Sequence, residues 1–229
     1  MIINNKKLLV CCEESQRVCI AFRDIGWEAY SCDIIECSGG HPEWHIKQDV
    51  LPLINGDCSF KTCDGSDHTI IGEWDMIICH PPCTYLSNAG ARHLYKGHKL
   101  NEERYMKGIE AKQFFMNFYN AKCSKIVIEN PVPSKVFHLP EYTQTIQPYE
   151  FYGVNHPYTK RTCLWIKGLP KLIPTEAVKP IATFCPSGSY SHKHEEKHRG
   201  LFTTDRAKNR SKTFEGIAKA MAEQWGNCE

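Results

Sequence analysis

Two short motifs place reactive side chains directly after apolar runs of the sequence. In the first, His80-Pro-Pro-Cys-Thr-Tyr-Leu-Ser, two prolines stiffen the chain after a buried strand and hold Cys83 at the rim of a sheet. A thiol held near a cation or a helix start has a lowered pKa and can act as a nucleophile. The second, Ile126-Val-Ile-Glu-Asn-Pro-Val-Pro, puts Glu129 at the end of a neighbouring strand. In a partly dry cleft beside a thiol, the pKa of this carboxyl would rise and make it a general acid.

A third motif, Tyr158-Thr-Lys-Arg-Thr-Cys-Leu-Trp, brings two cations to the start of an apolar strand. Lys160 and Arg161 could supply positive charge to a thiolate or to a phosphate. Taken singly, each of the three motifs also fits a plainer interpretation. These are an inert loop cysteine, an exposed glutamate before a turn and a solvated basic turn.

Two aspartates and the first turn indicate a nucleotide-like cofactor. Asp33 lies 20 residues after Glu13 at the end of a predicted strand, where an acid commonly binds a ribose hydroxyl. Asp49 ends the next strand and could meet an adenine amino group. The turn Cys12-Glu-Glu-Ser-Gln lacks the glycines that hold a pyrophosphate, which disfavours a dinucleotide and leaves open a cofactor with ribose and adenine but no phosphate. A surface or capping aspartate stays the alternative for both positions.

Alternating apolar runs and amphipathic stretches supply the elements that must position these side chains. They predict strands at 7–12, 27–33, 44–49, 74–79, 124–128, 145–151 and 161–167, and helices at 14–26, 101–120 and 213–225. Residues 51–72, rich in Gly, Asp, Ser and Cys, are predicted to be a loop insertion. Because several strands are continuously apolar, we expect an α/β fold with a mostly parallel sheet and helices on both faces. The polar strand ends would then converge at one edge of the sheet.

The composition is that of a folded protein, with 229 residues, a formal net charge of +2 and 13 cysteines. The length fits one large domain or a domain with a small appendage, and the charge excludes nucleic-acid binding by bulk attraction alone. No apolar stretch approaches ~18 residues and the start lacks a signal pattern, so we expect no membrane segment and an intracellular protein with free thiols. Neither Cys58 with Cys63 nor the cluster of His192, His194 and His198 has the paired spacing of metal ligands, so no metal site is predicted.

In this order at the rim of one parallel sheet, the three motifs resemble those of the cytosine carbon-5 DNA methyltransferases. The resemblance covers most of residues 7–167, and the segment from Arg210 to Ala222 resembles the family's last helix, which folds back beside the cofactor. The Cys-Glu-x-Ser opening, Pro-Pro-Cys-Thr and Thr-Lys-Arg-Thr-Cys-Leu-Trp look similar to those of small phage and prophage members. The resemblance implies a Rossmann-like methyltransferase fold in the cytoplasm of a bacterial or phage-infected cell.

The resemblance also implies a reaction and the residues that perform it. Cys83 would match the nucleophile that attacks carbon 6 of cytosine, and Glu129 the acid at ring nitrogen 3 and the exocyclic amine. Arg161 would match the arginine that positions the base and the thiolate. The implied cofactor is S-adenosylmethionine, and the residues implied to bind it are Cys12, Glu13, Ser15, Asp33 (ribose), Asp49 (adenine) and Pro81. The residues implied to bind substrate are Pro82, Thr84, Asn130 (which would orient the turn) and Lys160.

The implied partner is DNA, from which the target cytosine must be flipped out of the duplex. An RNA substrate, a free pyrimidine nucleotide and a homodimeric assembly stay open. Two other function classes also stay open. One is a degenerate methyltransferase fold that binds nucleic acid or a partner protein. The other is an amino-group DNA methyltransferase, whose Pro-Pro motif needs a polar acceptor before the prolines and an aromatic after them, where this chain has His80 and Cys83.

The chain departs from the family pattern in three places. The Phe-x-Gly-x-Gly-Gly turn is replaced by residues 11–16, Pro-Cys-Gln by Pro-Cys-Thr, and a large target-recognition domain by about 45 residues between Trp165 and Arg210. We therefore expect a catalytic core over 1–170, a short basic recognition or lid segment over 171–209 and a C-terminal helix over 210–229. The candidate phosphate contacts in and beside that segment are Lys167, Lys171, His192, Lys193, His194, Lys197, His198 and Arg199.

Overall fold

The computed structural model describes residues 6–183 and 211–228. The strands of the main sheet and of three small two-stranded sheets are β1 (Lys7–Cys11), β2 (Glu28–Asp33), β3 (His45–Lys47), β4 (Cys58–Lys61), β5 (Asp67–Ile70), β6 (Met76–Cys79), β7 (Tyr95–Lys96), β8 (Lys99–Leu100), β9 (Ile126–Pro131), β10 (Gln144–Ile146), β11 (Tyr158–Thr159), β12 (Thr162–Lys167) and β13 (Ala182–Thr183). The helices are α1 (Arg17–Asp24), α2 (Asn88–Ala91), α3 (Glu102–Tyr119) and α4 (Glu215–Trp225). Short 3-10 turns cover Pro42–Trp44, Lys135–Phe137 and Pro148–Glu150.

The main sheet has seven strands in the order β10-β12-β9-β6-β1-β2-β3. The five strands from β9 to the β3 edge of the sheet, namely β9, β6, β1, β2 and β3, run parallel to one another. At the other edge, β12 is antiparallel to both β9 and β10. The predicted mostly parallel sheet is therefore confirmed. The strand order reverses between β1 and β6, and ligands of open α/β sheets bind in the crevice at the carboxyl ends of strands at such a reversal. The first turn follows β1, and the Pro-Pro-Cys motif follows β6.

Both faces of the sheet are covered, as the apolar strands predict. Successive side chains of a strand point to opposite faces, and β1 shows this clearly. Leu8 and Val10 pack in one buried cluster with residues of α1 and α4, whereas Leu9 and Cys11 pack in a second cluster with α3. The closing helix α4 is also anchored by the indole of Trp225, which donates a hydrogen bond to the carbonyl of Pro170 at 2.9 Å. Trp225 is the last residue of α4, and Pro170 follows β12, which runs antiparallel to β9. The end of α4 therefore lies at the amino edge of the parallel strands, and its start lies toward their carboxyl edge.

The prediction that residues 51–72 form a loop is wrong, because they contain the antiparallel hairpin of β4 and β5. Phe60 and Ile70, one from each strand, are buried in the cluster on the α3 face. The ring of Phe60 lies 5.0 Å from that of Tyr30. Two buried apolar side chains thus fix a hairpin in a segment whose glycines and aspartates indicate turns only.

The first helix is shorter than predicted and begins at Arg17. Gln16 precedes it with a φ of 58°, in the left-handed region, so the helix cannot extend back to residue 14. Among residues 6–183 and 211–228, no helix has the length and apolar character needed to cross a membrane. The predicted segment 171–209 is described only as far as residue 183.

Candidate active site

The first turn bends sharply without the glycines of the family motif. Cys12 adopts a φ of 57°, a conformation that glycine usually supplies. Glu13 follows with only 4% of its surface exposed, and its carboxylate accepts hydrogen bonds from the backbone N–H groups of Val18 and Cys19 at 2.7 and 3.2 Å. A carboxylate at a helix N-terminus stabilises the helix. Glu13 therefore shapes the turn from within, and the neighbouring Ser15 is also buried. The predicted contact of these two residues with a cofactor stays a prediction.

The structure brings the predicted cofactor residues together at the ends of β1, β2 and β3. The pKa of the Cys12 thiol is raised by burial and by neighbouring charges that include Asp33 and Asp49. Asp33 is half-buried, and burial raises the pKa of its carboxyl. Asp49 is exposed and accepts a hydrogen bond from the backbone N–H of Leu51 at 3.1 Å, which is the capping role left open above.

An apolar surface that the sequence analysis missed lies beside Asp33. Ile34 directly follows β2 and has 73% of its surface exposed. The adjoining loop folds back on the first turn, because Gln16 accepts a hydrogen bond from the backbone N–H of His41 and donates one to the carbonyl of the same residue, at 3.1 and 2.8 Å. In the sequence, this surface is indicated only by the apolar pair Ile34-Ile35 directly after the acid at the strand end.

A hydrogen bond joins the first and second predicted site motifs. Asn130, with 3% of its surface exposed, donates from Nδ2 to the carbonyl of Pro81 at 3.0 Å. Pro81 is buried and Pro82 is exposed, and Cys83 is partly exposed at the carboxyl rim of the sheet. The carbonyl of Cys83 accepts a hydrogen bond from the backbone N–H of Ser87 at 3.0 Å. Asn130 thus makes the contact that its predicted turn-orienting role requires.

The loop after Cys83 is held on two further sides. The backbone N–H of Ser134, beyond β9, donates to the carbonyl of Leu86 at 2.7 Å. From α3, Arg104 donates from one terminal nitrogen to the carbonyls of Thr84 and Gly90 at 3.0 and 3.1 Å. The backbone of Thr84 is therefore fixed, while its residue surface remains exposed.

Glu129 forms an ion pair with His80 that the sequence analysis did not foresee. His80 Nδ1 lies 3.2 Å from Glu129 Oε2, and the two side chains are 10% and 12% exposed. Burial alone would raise the pKa of Glu129, but the hydrogen bond and charge of His80, together with the charge of Lys160, lower it overall. The predicted rise in the pKa of Glu129 is therefore wrong, because the prediction lacked its buried cationic partner.

The surroundings of this cluster raise the pKa of His80 and of a second glutamate, Glu13. Burial would lower the pKa of His80, but Glu129 and the charge of Glu13 outweigh it and raise the pKa. Burial raises the pKa of Glu13 to about 7, although the charge of His80 and the helix N–H groups offset part of the shift. His80 Nε2 is buried and has no hydrogen-bond partner among residues 6–183 and 211–228. The cluster can hold and exchange protons near neutral pH.

The two predicted cations, Lys160 and Arg161, lie near different groups. The charge of Lys160 contributes to the low pKa of Glu129, and its ammonium lies 5.4 Å from the ring centre of Phe214. Arg161 is exposed, and its charge offsets part of the burial-driven rise in the pKa of Cys163. The structure therefore associates Glu129 with Lys160, which was predicted to bind substrate, more closely than with Arg161, which was predicted to be catalytic.

The segment before α4 completes the surroundings of Glu129. The hydroxyl of Thr213 donates to Glu129 Oε2 at 3.3 Å, and Arg17 of α1 donates to the carbonyl of Thr213 at 2.8 Å. The last helix is thus present and folds back to the site edge of the sheet. Lys167 and Lys171 are exposed. The remaining predicted basic residues lie outside the described residues, and these are His192, Lys193, His194, Lys197, His198 and Arg199.

The twelve cysteines in the described part of the chain are free thiols. In that same part, no group of three or more His, Cys, Asp or Glu side chains is placed to hold a metal ion. A scan against protein-family models finds no match, and a search of curated proteins finds none either. The interpretation of the site therefore depends on its geometry and on the motif resemblance.

Proposed function

We propose that the chain is a DNA methyltransferase with a Rossmann-like fold that transfers a methyl group from S-adenosylmethionine to carbon 5 of cytosine. One observation carries the proposal. The hydrogen bond from Asn130 to Pro81 ties the turn that bears Cys83 to the strand end that bears Glu129. The proposed nucleophile and the carboxylate of Glu129 thus belong to one connected unit at the ends of the adjacent parallel strands β6 and β9.

The residues around the first turn fit S-adenosylmethionine. The five parallel strands lie in the order β3-β2-β1-β6-β9. Counted along the chain among themselves, they follow the 3-2-1-4-5 order of doubly wound nucleotide-binding sheets, with the first turn at the point where the order reverses. Asp33 offers a half-buried carboxylate for two ribose hydroxyls, and the exposed Ile34 offers an apolar surface for the adenine ring. Cys12 makes the sharp turn through its positive φ and so replaces the missing glycine in conformation. When bound there, S-adenosylmethionine supplies the methyl group.

The chain's own residues account for the activation of cytosine. The Cys83 thiolate adds to carbon 6, forming a carbon–sulfur bond, and the displaced electron pair makes carbon 5 nucleophilic as ring nitrogen 3 takes up a proton. Glu129 would deliver that proton while taking one from His80 Nδ1, 3.2 Å away. After methylation, a water molecule takes the proton from carbon 5 and the thiolate departs. Ring nitrogen 3 returns its proton through Glu129 to His80, which restores the neutral aromatic ring. Lys160 adds positive charge beside the carboxylate.

The proposal is tested by methyl transfer from labelled S-adenosylmethionine to cytosine-containing DNA. Wild-type protein should form 5-methylcytosine, identified by nuclease digestion and mass spectrometry. Cys83→Ser should lose the activity, whereas Cys63→Ser, at an exposed thiol of the β4–β5 hairpin, should retain it. Retained activity in Cys83→Ser would remove Cys83 as the nucleophile. An N-methylated base would instead support the amino-group alternative, and cofactor binding without turnover on any DNA would support the degenerate fold.

A further inference from the structure

A basic stretch of the chain surrounds the proposed nucleophile. Between Asp75 and Glu102 the sequence contains no acidic residue, whereas it contains Arg92, Lys96 and Lys99. The whole chain is near neutral, with a formal charge of +2, so this run is a local concentration of positive charge. It includes the Pro-Pro-Cys motif, α2 and the β7–β8 hairpin. A stretch with this composition favours an anionic ligand.

A surface cleft of about 490 Å³ lies between this stretch and α3. Cations and tyrosines dominate its lining, which consists of Tyr85, Arg92, His93, Tyr95, Asn101, Glu103, Arg104 and Lys107. Tyr95 is 51% exposed, and Arg92 is exposed as well. Lys107 is paired with Glu103 at 2.6 Å. An accessible aromatic ring beside a guanidinium is the combination that binds an unpaired nucleotide, with the base on the ring and the phosphate on the cation.

Hydrogen bonds connect the cleft to the Cys83 loop. Arg104, in its wall, donates to the carbonyls of Thr84 and Gly90 and lies 5.0 Å from the ring centre of Tyr85. Tyr85 is two residues after Cys83. Arg92 Nε donates to His93 Nε2 at 2.9 Å, which orients the guanidinium, and Tyr95 pairs with Leu100 across the β7–β8 hairpin. A nucleotide bound here would therefore keep a fixed position relative to the nucleophile.

We propose that this cleft binds an unpaired nucleotide of the DNA strand that carries the target cytosine, with its base stacked on Tyr95 and its phosphate on Arg92. The inference rests on the proposed function for the identity of the strand, and it adds a subsite outside the pocket for the reacting base. It also supplies a contact to DNA in the described part of a chain that has few residues for a recognition domain. Stacking reads no specific base, so the subsite favours unpaired over paired DNA and carries little sequence preference.

Fluorescence anisotropy of the full-length protein with a labelled single-stranded oligonucleotide of about 15 nucleotides tests the subsite. The methyl donor is omitted, so binding is measured without turnover. Tyr95→Ala should weaken binding roughly 5- to 150-fold, the effect of losing one stacked base. Tyr95→Phe keeps the ring and should bind like wild type. The log of the binding constant falls as the log of the salt concentration rises. Arg92→Ala should make this slope less steep by about 0.7, the amount that one phosphate contact contributes on a single strand.

Two controls keep the result interpretable. Lys122→Ala removes an exposed cation before the amino end of β9, at the opposite edge of the sheet, and should leave binding and salt slope unchanged. On a fully paired duplex, Tyr95→Ala should have no effect. Circular dichroism identifies a misfolded Tyr95→Ala protein, in which case the salt slope of Arg92→Ala decides.

The two proposals can fail separately. Binding within about twofold of wild type in both Tyr95→Ala and Arg92→Ala overturns the subsite, even where methyl transfer is observed. Equal loss of affinity for Lys122→Ala also overturns it, since general charge would then explain binding. Binding that depends on Tyr95 and Arg92 in a protein that transfers no methyl group supports the subsite and counts against the proposed reaction alone.

Discussion

The two sides of the strand-order reversal are built differently. On one side, Cys12, Asp33 and Asp49 lie at the ends of β1, β2 and β3; we call this the cofactor edge after its proposed role. On the other, His80, Cys83 and Glu129 lie at the ends of β6 and β9; we call this the base edge, again after its proposed role. The carboxylate of the base edge is buried, ion-paired and lowered in pKa, whereas Asp33 is half-exposed and raised in pKa.

This difference separates preorganisation from ligand binding. At the base edge, His80 and Thr213 hold Glu129, and Asn130 ties the Cys83 turn to the same strand end. Groups fixed in this way are aligned before the reaction begins, which is where electrostatic catalysis gains most. The cofactor edge has fewer internal partners and an open apolar surface. Substitutions at the base edge should therefore change rate and stability, and substitutions at the cofactor edge should change affinity.

The largest expected effect comes from removing the base-edge carboxylate. Glu129→Gln keeps the size of the side chain but cannot pass on a proton, so methyl transfer in a single turnover should fall about 10²- to 10⁴-fold. The affinity for S-adenosylmethionine should stay close to that of wild type, because Asp33 is untouched. Rapid-quench measurement of labelled methyl transfer at saturating cofactor gives the rate, and calorimetry gives the affinity.

The matched control is Glu141→Gln, at an exposed glutamate after the 3-10 turn Lys135–Phe137. It should retain the wild-type rate. A Glu129→Gln protein that folds and turns over at the wild-type rate would show that the buried ion pair is purely structural. The contrast between the two edges would then lose its catalytic meaning.

The second effect is on the pH dependence of stability, and it arises where the two edges meet at Glu13. Its pKa is raised from 4.5 to about 7, so the folded state binds this proton more tightly than the unfolded state. The resulting stabilisation is fully present below pH 4.5 and is lost as the pH rises through about 7. This shift in pKa corresponds to a loss of about 3 kcal/mol in the free energy of unfolding. Glu13→Gln cannot ionise and should remove this part of the decline.

Urea unfolding at a series of pH values between 5 and 8.5 measures the difference. The raised pKa of His80 acts in the same direction, since its stabilisation is present below the ordinary value of 6.5 and lost above the folded value. In Glu13→Gln this contribution should become smaller but persist, because Glu129 still raises the pKa of His80. The lowered pKa of Glu129 acts only below pH 4.5 and lies outside this range. If the free energy of unfolding declined equally with pH in wild type and Glu13→Gln, the pKa of Glu13 would not be raised in the folded state.

The sequence predicted the positions of the strand ends better than the contacts between them. Asp33, Cys83 and Glu129 follow continuous apolar runs, and parallel strands bring their carboxyl ends to one edge. The hairpin at residues 58–70 was missed because its glycines and aspartates outweigh two buried apolar side chains. Its existence depends on packing against Tyr30 and Trp74, which no local pattern encodes.

The ion pair between His80 and Glu129 shows why the electrostatics could not be predicted. In the parallel pairing of β6 with β9, Cys79 lies opposite Ile128, so the next residue on each strand is brought to the same level. Whole-strand packing sets that register, and a shift of one residue would turn Glu129 to the other face. The direction of the pKa shift of Glu129 depends on this register, since His80 is the strongest of the groups that oppose the effect of burial.

The smallest expected effect is at the cofactor edge, where Asp33→Asn removes a charge but keeps the side-chain shape. A charged acceptor bound to ribose hydroxyls contributes enough that its loss should weaken S-adenosylmethionine binding roughly 10- to 100-fold by calorimetry. At saturating cofactor the methyl-transfer rate should approach wild type, because no base-edge group has changed. Asp67→Asn, at an exposed aspartate of β5, is the control and should bind normally. If Asp33→Asn instead lowered the saturated rate with unchanged affinity, the two edges would act as one unit, because a group that only holds the cofactor cannot slow a step that begins after binding is complete.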